Sequence, residues 1–190
     1  MSYILQNHQT VKLHRELLPQ SIVVVQSETF NHTVAAGPSV IEFLSHSGNV
    51  LLHIALRPHE NTIRFDHRYF NASWVRRETI DFYDAGFQQN KPVTTIMVLD
   101  HGDKYQVFFD YNPAAFYYKK GIFHENIVAV RYNGDQDYHS QAHRVFGDNL
   151  RVSTYDSMRE LMHDAAPLQG PKPVSRKVEE SRPDMIRARL

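Results

Sequence analysis

The polar residues His53, Arg57, Arg64 and Asp66 are spaced so that they can act together on one polar ligand. Each lies in a run where apolar and polar residues alternate, and this period of two is typical of a strand with one buried face. Together, an imidazole, two guanidinium groups and a carboxylate donate and accept hydrogen bonds in defined directions. The chain's only tryptophan, Trp74, follows closely and offers a flat apolar surface. A saccharide needs both kinds of contact, because it carries hydroxyl groups around an apolar patch of C–H bonds.

Two neighbouring strands would have to position these side chains. In the first run, the side chains on one side are Leu52, Ile54 and Leu56, and those on the other are His53, Ala55 and Arg57. In the second run, Ile63 and Phe65 oppose Arg64, Asp66 and Arg68. The short turn segment 58–61 lies between the two runs, so we expect the runs to pair and to bring the four polar side chains onto one face. Arg77 and Thr79 lie on the next candidate strand and would join that face.

Each of these residues also has a simpler interpretation. A histidine on a strand is commonly solvated or structural, and a tryptophan commonly lies in the core. Arg57 and Arg64 could pair with Asp66 on a solvated surface. The convergence of three segments on one face is more specific than any single residue, but the pattern alone leaves both a ligand site and a solvated face open.

Short apolar runs with turn signals between them continue along most of the chain. Turns recur roughly every 8–12 residues and helical periodicity is nearly absent, which predicts an all-β antiparallel sandwich or barrel. The further strand candidates are residues 21–27, 39–45, 76–82, 93–99, 104–111, 115–119, 127–132 and 150–155. Residues 158–190 combine one short helical segment with prolines and mixed charges, so we expect a polar tail outside the core.

The composition excludes several classes of protein. The 190 residues carry a formal net charge of +0, without the basic excess of a nucleic-acid-binding domain. The absence of cysteine excludes disulfides, thiol nucleophiles and iron–sulfur ligation. The 12 histidines are scattered without the spacing of metal ligands, so no metal is expected.

No catalytic or targeting motif stands out. The segment from Asp100 to Asp103 could suggest acid–base or metal chemistry, but a polar cluster with glycine between two apolar strands is the usual composition of a turn. The first residues lack the pattern of a signal peptide, and no apolar stretch approaches the roughly 20 residues that span a bilayer. We therefore expect synthesis in the cytosol and no insertion into membranes.

At these residues the sequence resembles the galectins, particularly the fungal galectins. The family has a histidine and an arginine four apart on one strand, an asparagine on the next strand, and then a tryptophan followed by glutamate and arginine. His53 and Arg57 match the first pair, residues 60–68 match the asparagine-bearing strand, and Trp74 matches the tryptophan. The resemblance extends over roughly residues 1–155.

The resemblance implies a fold and a class of function. It implies a β-sandwich of jelly-roll topology over residues 1–157, followed by the tail 158–190. It also implies a non-enzymatic lectin that needs no cofactor or metal, assembles into homo-oligomers and can act outside the cytosol without a signal peptide. A glycosidase would need two carboxylates at catalytic separation, and the polar face offers only Asp66 with Asp81 at its margin.

The departures from the family pattern concern the sugar site itself. Asp66 stands in place of the asparagine, Arg77 in place of the central glutamate, Thr79 in place of the second arginine, and Arg64 in place of an apolar residue. Without that glutamate the arginines lose their orienting anion. Asp66 could partly replace it by pairing with Arg57, Arg64 or Arg77.

We therefore expect a galectin-type lectin with altered specificity, with His53, Arg57, Arg64, Asp66, Trp74, Arg77 and Thr79 as its binding residues. Its ligands would be β-galactoside-like, N-acetylglucosamine-containing or acidic glycans, the last suggested by Arg64, Arg76 and Arg77. The alternative is a protein-interaction module with the same fold that has lost its sugar site.

Overall fold

The computed structural model describes residues 1–88, 91–134 and 144–164, with the side chain of Arg76 left out. The described residues form twelve strands, one 3-10 turn (Pro58–Glu60) and one short helix, α1 (Met158–His163). The strands are β1 (Ser2–Gln6), β2 (Thr10–Leu17), β3 (Ile22–Ser27), β4 (Ser39–Leu44), β5 (Val50–Arg57), β6 (Thr62–Arg68), β7 (Val75–Asp81), β8 (Thr94–Asp100), β9 (Lys104–Phe109), β10 (Phe116–Lys119), β11 (Ile127–Tyr132) and β12 (Asn149–Tyr155).

The strands form two six-stranded sheets. The first sheet has the order β1-β12-β3-β8-β9-β10 and the second the order β2-β11-β4-β5-β6-β7. All pairs of neighbouring strands run antiparallel. The main hydrophobic core draws buried side chains from both sheets. The prediction of an all-β antiparallel sandwich is confirmed.

The register of β5 and β6 decides which side chains face the core. Ile54 lies opposite Phe65 and Leu56 opposite Ile63, and all four side chains are fully buried. Burial of each such side chain contributes about 1.5–3 kcal/mol. A slip of one residue would turn this apolar set outward and the polar set inward, so the core locks the register that displays the polar face.

The first two strands are absent from the sequence prediction. β1 is an edge strand whose Ile4 points outward, with 60% of its surface exposed, so its alternation does not mark a buried face. In β2 the exposed Arg15 interrupts the alternation between the buried residues Leu13 and Leu17, and the pairing with β11 shifts register between Ile127 and Ala129. A bulge of this kind breaks the period of two on which the prediction depends.

The helix α1 covers part of the outer face of the first sheet. Ser157 accepts a hydrogen bond from the backbone N–H of Glu160 and so caps the helix. Leu161 is buried in a small second cluster whose other members come from β3, β8 and β12. The remainder of the expected tail, residues 165–190, lies outside the described residues. Among the described residues, no helix is long and apolar enough to cross a membrane.

Candidate functional site

One row of polar side chains crosses the outer face of the second sheet. Arg131 on β11 lies opposite Glu42 on β4, Glu42 lies opposite His53 on β5, and His53 lies opposite Asp66 on β6. Arg77 on β7 continues the row, with its Nε 3.9 Å from Oδ1 of Asp66. We call these five residues the polar row. Along the row, carboxylates alternate with nitrogen-bearing side chains, so Glu42 and Asp66 each lie between two possible hydrogen-bond donors.

The turn between β5 and β6 supplies an anion that the sequence analysis missed. Arg57 donates a hydrogen bond to Oε1 of Glu60, and Arg64 donates one to Oε2 at 2.5 Å. Burial alone would raise the pKa of Glu60, but the two guanidinium groups outweigh it and hold that pKa below its ordinary value. Glu60 therefore orients both arginines as a carboxylate in the binding face would.

Of the three arginines considered as partners of Asp66, the structure pairs Arg77 with it, and neither Arg57 nor Arg64. Arg57 lies opposite Thr62, four residues from Asp66 and so about 13 Å away along the strand. Arg64 turns instead towards Glu60. Only the third expected partner, Arg77, comes near Asp66, and the separation of 3.9 Å is too long for a hydrogen bond.

Asp66 is a buried acceptor in the middle of the polar face. The residue is 4% exposed, and its Oδ1 accepts no hydrogen bond from the described residues. Burial raises the pKa of Asp66, and the neighbouring His53, Arg77 and Arg64 offset this only in part. The carboxylate of Asp66 is therefore a buried group whose charge its neighbours compensate only in part.

The indole of Trp74 lies against this face and not in the core. Its ring centroid is 4.3 Å from that of His53, at an interplanar angle of 56°. The guanidinium of Arg68 lies over the indole, 4.3 Å from its centroid, as a cation–π pair. Trp74 is half-buried, so it can offer an apolar surface to a ligand. A ligand that stacks on the side covered by Arg68 must displace that guanidinium.

The strand β7 carries the remaining candidates. Thr79 is exposed and lies opposite Arg64, and Arg77 is also exposed, with 58% of its side-chain surface accessible. Glu78, between them, lies opposite Phe65 and so alternates to the other side of the sheet. A glutamate is thus present one residue later than in the family pattern. Because side chains alternate between the two faces of a strand, this shift of one residue places Glu78 on the side away from the polar face.

The structure therefore places all seven predicted site residues on or beside one face, and adds Glu42, Glu60 and Arg131. Glu42 breaks an apolar strand in the sequence, which was a signal of a special position, but its neighbours could not be known without the sheet order. No group of three or more acidic or histidine side chains in the described part of the chain is arranged to hold a metal ion.

Asp66→Asn is expected to stabilise the fold at neutral pH by about 1 kcal/mol, or roughly 2–4 °C in Tm. Because folding raises the pKa of Asp66, the wild-type chain loses stability as the pH rises through that pKa, and the amide does not. The advantage should therefore shrink below about pH 4, where the wild-type carboxyl is protonated as well. Thermal melts from pH 3 to pH 8 measure this, with the exposed Asp81→Asn as the matched control. Destabilisation by Asp66→Asn at neutral pH would show that the carboxylate makes favourable contacts.

Comparison with known proteins gives a consistent result. A family model described as galactoside-binding lectin matches residues 8–142. Galectin-2 of Coprinopsis cinerea is 36% identical over 140 residues, which are 74% of this chain and 89% of that relative. Chicken galectin 2 superposes with a TM-score of 0.54 at 13% identity, over 80% of this chain and 98% of that one. A toad ovary galectin in complex with thio-digalactose superposes with a TM-score of 0.54 at 14% identity, over 81% and 98%.

The two solved structures support the fold, and the family model and the fungal relative establish the membership. The prediction of a resemblance to galectins is confirmed. The chain belongs to the galectin family of non-enzymatic, carbohydrate-binding lectins.

Proposed function

We propose that this galectin binds glycans that carry an acidic group in preference to plain β-galactosides. The observation that carries the proposal is Arg77. Its guanidinium is exposed and has only a long ion pair with Asp66, at the position where the family pattern has a glutamate. The replacement of glutamate by arginine reverses the charge at the centre of the site. A ligand group that would donate a hydrogen bond to a carboxylate therefore no longer matches this position, whereas an anionic ligand group does.

The charges around Arg77 support the same conclusion. Arg57 and Arg64 both pair with the carboxylate of Glu60, which holds their two guanidinium groups together at one end of the face. The face carries the guanidinium groups of Arg57, Arg64, Arg68, Arg77 and Arg131 against the carboxylates of Glu42, Glu60, Asp66 and, at its edge, Asp81. Guanidinium groups bind carboxylate and sulfate oxygens through paired hydrogen bonds.

The galactoside part of such a ligand has a place as well. The toad relative was solved with thio-digalactose. In this chain, Trp74 and His53 form the apolar and polar sides of a corresponding surface. We propose that the sugar ring packs on Trp74 while its acidic substituent reaches Arg77.

Sulfated or sialylated lactose is expected to bind at least about tenfold more tightly than lactose at low ionic strength, the equivalent of one charge-assisted hydrogen bond. The difference should narrow as salt is added, because the contact is exposed. Isothermal titration with lactose, 3′-sulfated lactose, 3′-sialyllactose and N-acetyllactosamine measures it.

Arg77→Gln should remove this preference, whereas Arg151→Gln, an exposed arginine on the first sheet, should leave it intact. Equal or tighter binding of plain lactose or N-acetyllactosamine by the wild-type chain would refute the proposal.

A second candidate function is a protein-interaction module without a sugar site. The contact of Arg68 with Trp74 favours it, because the guanidinium occupies a surface on which a sugar would stack. The variant Arg68→Ala removes this guanidinium and so distinguishes the lectin from the interaction module. If neither the wild-type chain nor this variant binds any glycan on a broad array, the interaction module replaces the lectin as the better proposal.

A further inference from the structure

Glu42 is a buried carboxylate with two partners on opposite sides. The residue is 1% exposed and lies in the middle of the polar row. Its Oε1 is 3.1 Å from Nδ1 of His53, and its Oε2 accepts a hydrogen bond from Nε of Arg131 at 2.6 Å. A buried charge is tolerated only when it is paired and hydrogen-bonded. Arg131 therefore holds Glu42 in place and compensates its charge.

The ionisation of Glu42 determines what His53 can do. Burial would raise the pKa of Glu42, but the contacts with His53 and Arg131 outweigh it and hold that pKa below its ordinary value. An ionised carboxylate only accepts hydrogen bonds, so Nδ1 of His53 must be the donor. In a neutral imidazole the second nitrogen, Nε2, is then unprotonated and can only accept.

The surroundings leave Nε2 available for a ligand. Within the described residues, no hydrogen bond involves Nε2 of His53. The strand neighbour on the side away from Glu42 is Asp66, whose Oδ1 is likewise without a hydrogen bond. Trp74 packs against the same imidazole. The acceptor Nε2 thus lies next to the aromatic surface of Trp74.

We infer that Glu42, clamped by Arg131, is a positioning residue that fixes His53 in the tautomer whose Nε2 accepts a hydrogen bond from a ligand hydroxyl. The inference rests on the proposed function for the identity of the ligand, but not for the state of His53. This tautomer requires a ligand that brings a hydroxyl donor to Nε2. A glycan that lacks this hydroxyl leaves the acceptor nitrogen unpaired.

Nitrogen-15 NMR of the ligand-free protein tests the tautomer directly. In spectra recorded at about pH 8, Nδ1 of His53 should be protonated and Nε2 should not. Glu42→Gln offers an amide that can donate as well as accept, so the second tautomer should become populated. Glu16→Gln is the matched control, because Glu16 is an exposed carboxylate on the same sheet that accepts from Asn126.

A protonated Nε2 in the wild-type spectrum, or an unchanged spectrum in Glu42→Gln, overturns the inference. The wild-type measurement decides even if the variant fails to fold.

Binding of 3′-sulfated lactose provides the second measurement. Glu42→Gln is expected to weaken it about tenfold, the equivalent of one hydrogen bond, while Glu16→Gln changes it little. A deoxy form of this ligand that lacks the hydroxyl contacting Nε2 should bind the wild-type chain more weakly by about the same factor. The same deoxy ligand should lose less affinity for the Glu42→Gln variant. Equal losses in both proteins would show that Glu42 does not act through His53. If 3′-sulfated lactose fails to bind the wild-type chain at all, the proposed function falls, and the NMR result still stands.

Discussion

Asp100→Asn is expected to lower the free energy of unfolding by about 3–5 kcal/mol, because it breaks a buried ion pair and leaves one charge uncompensated. Nζ of Lys120 lies 2.7 Å from the carboxylate of Asp100, and both residues are buried. The same carboxylate accepts from the backbone N–H of Gly102 at 2.7 Å, which the amide oxygen of asparagine can still do. The expected loss of stability therefore comes from the buried ammonium group of Lys120, which is left without a counter-charge. For a chain of this length it corresponds to roughly 10 °C in Tm, measured by thermal or urea unfolding.

Two comparisons make the result specific to the pair. The double change Asp100→Asn and Lys120→Met removes both charges and should recover most of the stability, since apolar side chains often replace a buried ion pair without loss. Asp103→Asn, at an exposed position of the same turn, should change the free energy of unfolding by less than about 0.5 kcal/mol. A double variant as unstable as the single one would mean that the pair itself, and not an uncompensated lysine, stabilises the fold. Because the pair belongs to the first sheet, glycan affinity of the folded protein should not change.

Trp74→Ala is expected to weaken glycan binding about 30-fold. A sugar ring that covers about 80 Å² of the indole contributes about 2 kcal/mol at 25 cal/mol per Å², and the alanine variant loses that contribution. The side chain is half-buried and lies outside the main core, so the fold should tolerate the change. Titration with lactose and 3′-sulfated lactose measures the loss, which should affect both ligands alike.

The matched control for this change is Tyr117→Ala. Tyr117 is an exposed aromatic residue on the first sheet and, like Trp74, has a cation over its ring, at 5.1 Å from Lys104. Its removal should leave glycan binding unchanged. Undiminished binding by Trp74→Ala would show that no ligand packs on the indole, and would favour the interaction module.

The polar face could be predicted from the sequence because two neighbouring strands alternate strictly. His53 and Asp66 lie opposite each other because the adjacent pair, Ile54 and Phe65, must face the core, and that requirement is visible in the residues themselves. Arg64 follows from the same alternation. Strand-scale periodicity therefore predicts which side chains share a face.

The ion pairs of the site could not be predicted in the same way. Glu60 lies in a turn without periodicity, and its direction depends on the 3-10 geometry that starts at Pro58 and closes at Asn61 with a positive φ of 48°. Glu42 and Arg131 are 89 positions apart and become neighbours only through the order of the strands. For the same reason, Lys120 could not be predicted as the partner of Asp100: the two residues are 20 positions apart in the sequence, and the composition around Asp100 indicates only a turn.

The position of α1 offers a practical route to studying the lectin at a surface. The helix lies on the outer side of the first sheet, whereas the polar face lies on the outer side of the second. Met162 is 71% exposed on that helix, and the chain contains no cysteine. A Met162→Cys variant would therefore carry a single reactive thiol. If the protein is coupled to a sensor or bead through this thiol, every molecule is attached with its polar face towards the solution. Avidity could then be varied through the coupling density alone.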